Sequence, residues 1–270
     1  MPGKIETEGI GTVKKELHIF YVLDTSGSMS GEAIGALNDA MRATVEELKK
    51  KDGENADLRI GVLEYNSKAR WVTKGTNGLE NLQDFIWTDL QATGMTALGA
   101  AMKELNTSLS RNDKMKSATG NKIPVVIFMS DGYPNDNWED ALKTLAENKW
   151  YRAAIKIAFA LGEDADEDSL AKVVGVRKDG SIVPNREAVI HTNDLQVFSD
   201  MIQIVSVGST LAASTSRTVD DPVDPATIIQ SGISAGGYTV GTDGTVMVDP
   251  NPPIDVYAGT DGDDNFGNLT

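Results

Sequence analysis

Five side chains with hard oxygen atoms stand at three separate points of the sequence. Asp24, Ser26 and Ser28 follow the first long apolar run, Thr96 lies in a polar segment that contains glycine, and Asp131 follows the second long apolar run. Carboxylate and hydroxyl oxygens are the ligands that Mg²⁺, Mn²⁺ and Ca²⁺ prefer, whereas zinc and copper favour histidine and cysteine, and neither accompanies these residues. The residue types therefore predict a site for a hard divalent cation, with Mg²⁺ first and Mn²⁺ or Ca²⁺ as alternatives.

The charge of these five side chains leaves such a cation incompletely satisfied. Asp24 and Asp131 together only neutralise a dication, and hydroxyl groups add no charge. The sequence offers no obvious third carboxylate near the three segments. The natural source of one is an Asp or Glu of another protein, so we expect a protein partner that presents an acidic side chain to the metal.

The surrounding sequence predicts an α/β architecture. The apolar runs 17–23 and 124–129 resemble strands that are buried on both faces, and helical apolar patterns separate them from further strand-like runs. Strands that alternate with helices form βαβ units. We therefore expect a Rossmann-like, doubly wound and mostly parallel six-stranded sheet, with one antiparallel edge strand and helices on both faces. Ligands of such sheets bind at the carboxyl ends of the strands, where Asp24 and Asp131 stand.

Two local predictions follow from shorter patterns. The run 58–65 is followed so closely by 69–73 that only an antiparallel hairpin can join them. The spacing of the apolar residues in 79–86 predicts a short helix before the polar segment that contains Thr96.

Composition limits the class of partner and the compartment. The formal net charge is −15, from 40 acidic and 25 basic residues, so nucleic acids and anionic membranes would repel the protein. No apolar run reaches membrane-spanning length, and we expect no membrane insertion. The polar lead of residues 1–16 lacks the apolar core of a signal peptide, and the chain has no cysteine. A cytoplasmic location is the simplest expectation.

The sequence changes character after residue 213, which predicts a domain at 17–213 and an acidic tail at 214–270. The tail is rich in proline and glycine and has nine aspartates against a single basic residue, Arg217. Residues 237–248 alternate around a turn-forming centre, which is typical of a β-hairpin. The acids Asp220, Asp221 and Asp224 lie just beyond the domain and suggest a segment that competes for the metal.

The order and setting of the five residues resemble the metal-ion-dependent adhesion site of the von Willebrand factor A family. The resemblance rests on Asp24-x-Ser26-x-Ser28, then Thr96, then Asp131, and extends over residues 17–213. It implies that the hydroxyls bind the metal directly and that Asp24 and Asp131 bind it directly or through water. It also implies a protein-binding module that is not an enzyme.

Within that family, the extended motif of residues 130–136 is similar to the stand-alone bacterial TerY-type proteins linked to tellurite resistance. This likeness implies a role in a stress-response or signalling assembly. The family often has glycine where Met95 stands. We expect Met95 and Tyr133 to contact the partner, although Met95 could equally pack against Leu98.

Three alternatives remain open at this point. Each of the five residues, taken alone, could be a helix cap or an ordinary turn residue. An aspartate that ends a buried strand also describes the nucleophile of haloacid-dehalogenase-type phosphatases, but these need a second acid two residues later, where Ser26 stands. An extracellular adhesin could use the same metal site.

Overall fold

The computed structural model describes residues 14–75, 78–110, 120–216 and 223–250. The strands are β1 (Glu16–Asp24), β2 (Asp57–Tyr65), β3 (Ala69–Trp71), β4 (Glu80–Asn81), β5 (Val125–Ser130), β6 (Ile155–Leu161), β7 (Val189–Thr192), β8 (Tyr238–Val240) and β9 (Val246–Val248). The helices are α1 (Glu32–Lys51), α2 (Leu98–Leu109), α3 (Trp138–Ala146), α4 (Lys149–Ala153), α5 (Glu167–Val174), α6 (Leu195–Thr215) and α7 (Pro225–Gly236). Short 3₁₀ turns cover Gly27–Met29 and Arg186–Ala188.

One mixed sheet forms the centre of the molecule, with the strand order β3-β2-β1-β5-β6-β7. The strands from β2 to β7 are parallel along this order, while β3 and the two-residue β4 both pair antiparallel with β2. The mostly parallel α/β fold and its antiparallel edge are therefore confirmed. The sheet has seven strands and not the predicted six. The additional strand is β4, which the sequence did not predict.

The additional strand replaces a predicted helix. Residues 79–86 pair with β2 through Glu80 and Asn81 and then continue in turns. Leu82 and Phe85 are buried as the pattern predicts, but Ile86 points to solvent with 80 % of its surface exposed. Successive turns can bury residues at the same three-residue spacing as a helix, so periodicity over so short a segment does not separate the two.

Strand β1 explains the first apolar run because each of its faces meets a different core. Ile19 and Tyr21 point into one core, together with the inward residues of α1 and α6. Phe20 and Val22 point into the other, with residues from α2, α3 and α5. A strand covered by helices on both faces has no polar side, which produces a continuous apolar run.

Helix α6 is the one helix in the described ranges whose length and composition would suffice to cross a membrane. It has 21 residues and a mean hydropathy of 1.2 in its most apolar window, of which 56 % is buried inside the molecule. Phe198, Met201 and Val205 belong to the core shared with α1. Core helices often have this composition, and here packing against α1 and the sheet accounts for it.

The segment after α6 folds back onto the domain. Helix α7, which the sequence did not predict, packs against α6, and the hairpin of β8 and β9 follows it. Thr245 forms a bridge with His191 of β7, so the hairpin lies at that edge of the sheet.

The suggested competition of the tail aspartates for the metal is not supported by the position of Asp224. Its carboxylate accepts a hydrogen bond from Ala226 N at 3.1 Å and caps α7. The flanking residues Val223 and Pro225 contact the same cleft as the first residues of β6, at the edge of the sheet opposite to the carboxyl ends. Asp220, Asp221, residues 1–13 of the lead and residues 251–270 of the tail lie outside the described residues.

Candidate metal centre

Asp24 and Asp131 lie at the same edge of the sheet because β1 and β5 are parallel neighbours. Leu23 is in register with Met129, so Asp24 ends β1 beside the point where β5 ends at Ser130. Asp131 follows immediately. The fold thus places both carboxylates at the carboxyl edge, where the loops that follow the strands carry them toward one another.

The hydroxyl groups of the first loop connect to the second carboxylate. The Oγ atoms of Ser26 and Ser28 are 3.0 Å apart, and Ser28 Oγ donates a hydrogen bond of 2.8 Å to Oδ1 of Asp131. Three of the five oxygen-bearing side chains therefore form a continuous chain of contacts between residues more than a hundred positions apart in sequence. Oxygens held this close together can share one cation.

Asp24 is held rigidly beneath these hydroxyls. It is fully buried, its Oδ1 accepts a hydrogen bond from Ser26 N at 2.8 Å, and its Oδ2 accepts one from Ser130 Oγ at 2.6 Å. Ser130 had no role in the sequence-based prediction. Its place as the last residue of a buried strand, next to Asp131, is the signal that could have identified it.

Backbone hydrogen bonds place the loop that carries Thr96 beside the first loop. Gly27 N donates to Gly94 O at 3.0 Å, and Thr93 N donates to Thr25 O at 2.8 Å. Gly94 has a φ of +76°, in the left-handed region that favours glycine, and a Cβ there would lie 2.6 Å from Ser67 Oγ. The turn before Thr96 therefore depends on glycine.

Thr96 itself is buried between two loops. Thr96 has 7 % of its surface exposed, and its carbonyl accepts a hydrogen bond from Asn135 N at 3.0 Å. Within the described ranges, its hydroxyl makes no hydrogen bond. An uncommitted hydroxyl in such a position is free to bind a ligand.

Asp136 joins the third loop to the start of α2 and was also missed from the sequence. Its two carboxylate oxygens each accept a hydrogen bond of 2.9 Å, from Gly99 N and from Ala100 N. Helix α2 has Ala97 at its N-cap position, which supplies no side-chain cap. Asp136 takes that role from a distance of 37 residues. The absence of a capping residue before a well-patterned helix is the signal that a distant acid is needed.

Helix capping does not explain the five predicted residues. Gly31, Ala97 and Asn137 occupy the N-cap positions of α1, α2 and α3, so neither Thr96 nor Asp131 stands at one. Ser26 precedes the 3₁₀ turn but makes no side-chain cap. Asp24 accepts a backbone hydrogen bond only within its own turn.

The electrostatics of the two carboxylates favour a cation. Burial raises the pKa of Asp24 to about 6, and the nearby charge of Asp131 adds to the effect. Burial also raises the pKa of Asp131, against the hydrogen bond from Ser28. Both shifts mean that negative charge is costly here without a positive counterpart, which a divalent cation would supply.

The donor set fits a hard cation held partly by hydroxyl groups. No group of three or more His, Cys, Asp and Glu side chains with metal-binding geometry exists in the part of the chain that the structure describes. The further oxygen atoms that the candidate residues offer beside the two aspartates are the hydroxyl groups of Ser26, Ser28 and Thr96. Such an all-oxygen set suits Mg²⁺, Mn²⁺ or Ca²⁺.

Apolar side chains stand beside these loops. Met95 has 58 % and Tyr133 68 % of its surface exposed. Met95 directly precedes Thr96, and Tyr133 lies two residues after Asp131. Of the two roles open to Met95, this exposure favours contact with a partner over packing against the buried Leu98.

The chain is similar to known proteins in sequence and in fold. The sequence model of the von Willebrand factor type A domain matches residues 18–200, which includes all five candidate ligands. Among solved structures, the chain resembles a von Willebrand factor type A protein from Catenulispora acidiphila, with 16 % identity over 73 % of this chain and a TM-score of 0.51.

Two further structures show the same fold in other settings. The ArnB paralog VWA2 from Sulfolobus acidocaldarius has 16 % identity over 71 % of this chain and a TM-score of 0.51. The pilus adhesin SpaC from Lactobacillus rhamnosus GG has 12 % identity over 74 % and a TM-score of 0.54. The chain spans 43 %, 45 % and 31 % of the three proteins, so it corresponds to less than half of each.

Proposed function

The chain belongs to the von Willebrand factor type A family, whose domains commonly act as metal-dependent protein–protein interaction modules, and on this basis we propose that it binds an Asp or Glu of a partner protein through a divalent cation. The cation is held by Asp24, Ser26, Ser28, Thr96 and Asp131. The observation that carries the proposal is the chain of contacts from Ser26 to Ser28 to Asp131 above the buried Asp24.

Each residue has a separate task in this proposal. Asp24 and Asp131 supply the charge that neutralises the dication, while the hydroxyls supply neutral oxygen atoms. A bound cation in such a site acts as a Lewis acid that still attracts an anionic ligand. Asp24 is oriented by Ser130 and Ser26, and Asp136 fixes the loop that carries Thr96. Met95 and Tyr133 contact the part of the partner around its acidic residue.

Mg²⁺ is the proposed cation, with Mn²⁺ and Ca²⁺ as alternatives. Mg²⁺ commonly binds through one or two carboxylates and retains other positions for water or a ligand. Two aspartates and three hydroxyls correspond to that pattern.

The same geometry argues against the phosphatase alternative. An aspartate nucleophile must reach its substrate, but Asp24 is fully buried and both of its oxygens accept hydrogen bonds. Ser26 stands where a general acid would be required and cannot protonate a leaving group efficiently. We therefore propose an interaction module and not an enzyme.

The cellular setting is part of the proposal. The motif of residues 130–136 supports a TerY-type assembly in a bacterial stress response, and the absence of cysteine is compatible with the cytoplasm. The alternative is an extracellular adhesin with the same metal-dependent binding. Cell fractionation separates the two, since a secreted or surface-attached pool would favour the adhesin.

A pull-down from the native host tests the function directly. The purified protein should capture a partner in the presence of Mg²⁺ and release it in EDTA, with mass spectrometry identifying the captured protein. Thr96→Ala should abolish capture while preserving the thermal melting curve that the protein shows in EDTA. Asp89→Asn, which changes an exposed acid elsewhere, should leave capture unchanged. Capture of the same partner in EDTA would refute the proposal.

A further inference from the structure

A cleft of about 480 Å³ lies at the amino ends of β5 and β6. One wall is formed by Ile123, which precedes β5, and by Lys156 near the start of β6. Residues 174–178 and 183–185 form the second wall, and Val223 together with Pro225, the first residue of α7, forms the third. A seven-residue strand is roughly 20 Å long, so this cleft lies at the far edge of the sheet from the metal centre.

Among the described residues that line this cleft, the charged side chains are all basic. Its cationic residues are Arg152, Lys156, Arg177 and Lys178, and no Asp or Glu is among the described residues that line it. The protein as a whole has a net charge of −15. A local concentration of positive charge on an acidic protein is therefore a feature that packing alone does not require.

The two arginines are available for an external ligand. Neither Arg152 nor Arg177 forms an ion pair with a carboxylate in the described part of the chain, and the Nε atom of Arg152 is buried without a hydrogen-bond partner. The nearby Asp179 accepts hydrogen bonds from Ser181 N and Ser181 Oγ, and the charge of Arg177 makes a smaller contribution to the lowered pKa of Asp179.

Lys156 adds a buried charge beneath the arginines. The residue has 6 % of its surface exposed, and its Nζ donates to the carbonyls of Tyr151 at 3.0 Å and Ala154 at 2.9 Å. These acceptors are neutral. Burial lowers the pKa of Lys156 to about 8, and the charge of Lys178 contributes. An anion in the cleft would compensate the buried ammonium group.

The remainder of the lining is apolar and of the size found in small-molecule sites. Val174 and Val176 face the cleft together with Val223 and Pro225. Binding sites for small organic molecules usually have volumes of about 300–1,000 Å³ and combine an apolar lining with a few polar groups. The cleft corresponds to both criteria.

We propose that this cleft binds a small organic phosphate, whose phosphate group pairs with Arg152 and Arg177 and whose apolar or aromatic part lies against the valines. Guanidinium groups bind phosphate oxygens in a planar, bidentate manner. A phosphate monoester carries a charge of about −1.5 to −2, which compensates more than one cation, whereas a single carboxylate compensates one.

Isothermal titration calorimetry of the full chain with ADP and with phenyl phosphate tests this proposal. EDTA in the buffer prevents metal at the opposite edge from binding the phosphate. Both compounds should bind the wild-type protein, and Arg152→Ala and Arg177→Ala should each weaken binding by about tenfold or more. Arg42→Ala removes an exposed arginine that pairs with Asp39 and Asp89, and it should leave affinity unchanged.

Titrations with further compounds separate the contribution of each part of the ligand. Adenosine and phenol, which lack phosphate, should bind much more weakly than ADP and phenyl phosphate, and inorganic pyrophosphate should bind more weakly than ADP. Arg152→Lys, which keeps the charge but loses the planar group, should have an intermediate affinity. The proposal is overturned if neither ADP nor phenyl phosphate binds, if the two alanine variants bind as wild type does, or if adenosine or pyrophosphate equals ADP.

Discussion

Ser28 donates a hydrogen bond from its hydroxyl to Oδ1 of Asp131, 103 residues further along the chain. The two side chains come from loops that follow neighbouring parallel strands, and their contact depends on the register between β1 and β5. The same two residues are candidate ligands of one cation. The fold thus brings two of the candidate ligands into direct contact.

Asp131→Asn separates the cost of the buried charge from the benefit of the metal. Without metal, the variant should be at least as stable as wild type, because it keeps an acceptor for Ser28 and removes a carboxylate whose pKa is raised by burial. With Mg²⁺, wild type should gain about 2.7 kcal/mol at a hundredfold excess over the dissociation constant, and the variant should gain little. Thermal melting with Mg²⁺ and with EDTA measures both effects.

The exposed Asp89 provides the control for that experiment. Asp89→Asn should respond to Mg²⁺ as wild type does, since Asp89 pairs with Arg42 away from the site. An equal metal response in wild type and Asp131→Asn would exclude Asp131 as a ligand.

Asp136→Ala tests the connection between the third loop and α2. The change removes the acceptor of two backbone N–H groups at a helix start, so we expect a loss of about 1–3 kcal/mol in the free energy of unfolding. Urea denaturation measures this loss. Asp140→Ala, which removes an exposed acid from the first turn of α3, should lower the free energy of unfolding much less. Similar values for the two variants would contradict the role assigned to Asp136.

Two glycines in helices should respond to alanine with opposite sign. A Cβ at Gly99 would lie 2.9 Å from Trp138 Cα and 2.9 Å from Asp136 Oδ2, whereas a Cβ at Gly35 of α1 meets no atom within 4 Å. Gly35→Ala should therefore stabilise the protein by about 0.5–1 kcal/mol, because alanine is the better helix former. Gly99→Ala should destabilise it, since backbone atoms must move. Urea denaturation of both variants measures the change in the free energy of unfolding. Stabilisation by Gly99→Ala would show that α2 and α3 are not packed this closely.

Lys156 should make stability increase with pH above neutrality. Its pKa is lowered by burial from 10.5 to about 8 in the folded protein. Below pH 8 both states bind the proton, and the cost of the buried charge is fully present. Between about pH 8 and 10.5 only the unfolded chain keeps the proton, so the contribution to stability rises by up to about 1.4 kcal/mol per pH unit.

Lys156→Met should abolish that contribution. The difference in unfolding free energy between wild type and the variant, measured from urea titrations at several pH values, should slope between pH 8 and 10. Lys143→Met is the matched control, because Lys143 is exposed and its pKa is raised by Asp140. If the difference in unfolding free energy between wild type and Lys156→Met did not change with pH, the ammonium group would not be destabilised by burial.

The exposed apolar residues near the metal centre should affect the partner and not the cation. Met95→Ser and Tyr133→Ser should each weaken partner capture, since exposed apolar residues around a recognition site commonly supply binding energy. Their Mg²⁺-induced increase in melting temperature should equal that of wild type. Ile86→Ser, which changes an apolar residue with 80 % of its surface exposed, is the control and should leave capture unchanged. If Ile86→Ser weakened partner capture as much as Tyr133→Ser does, the partner interface would not be centred on Met95 and Tyr133.

The sequence was most informative where one local pattern determined the outcome. The apolar runs that became β1 and β5 predicted buried parallel strands, and the polar residues after them predicted a site at the carboxyl edge. The assignment of the five residues as ligands remains a prediction, although the fold brings Ser26, Ser28 and Asp131 into contact and Asp24 directly beneath.

The features that the sequence did not predict depend on distant contacts. Asp136 caps α2 through the N–H group of Gly99, 37 residues earlier, and nothing in its own neighbourhood indicates that role. Strand β4 exists because β2 offers an edge to pair with. Helix α7 lies in a segment whose prolines and glycines suggested a tail, but its Ile229 is buried against the core that contains α6.

The borders of the sheet restrict how another protein can attach. On one side, β3 provides three residues, and on the other the hairpin of β8 and β9 lies against β7 through the bridge of Thr245 to His191. A ligand that joins a sheet as an extra strand needs a long open border with free backbone groups. Among the described strands, neither border offers one, so recognition of a partner by strand addition is disfavoured.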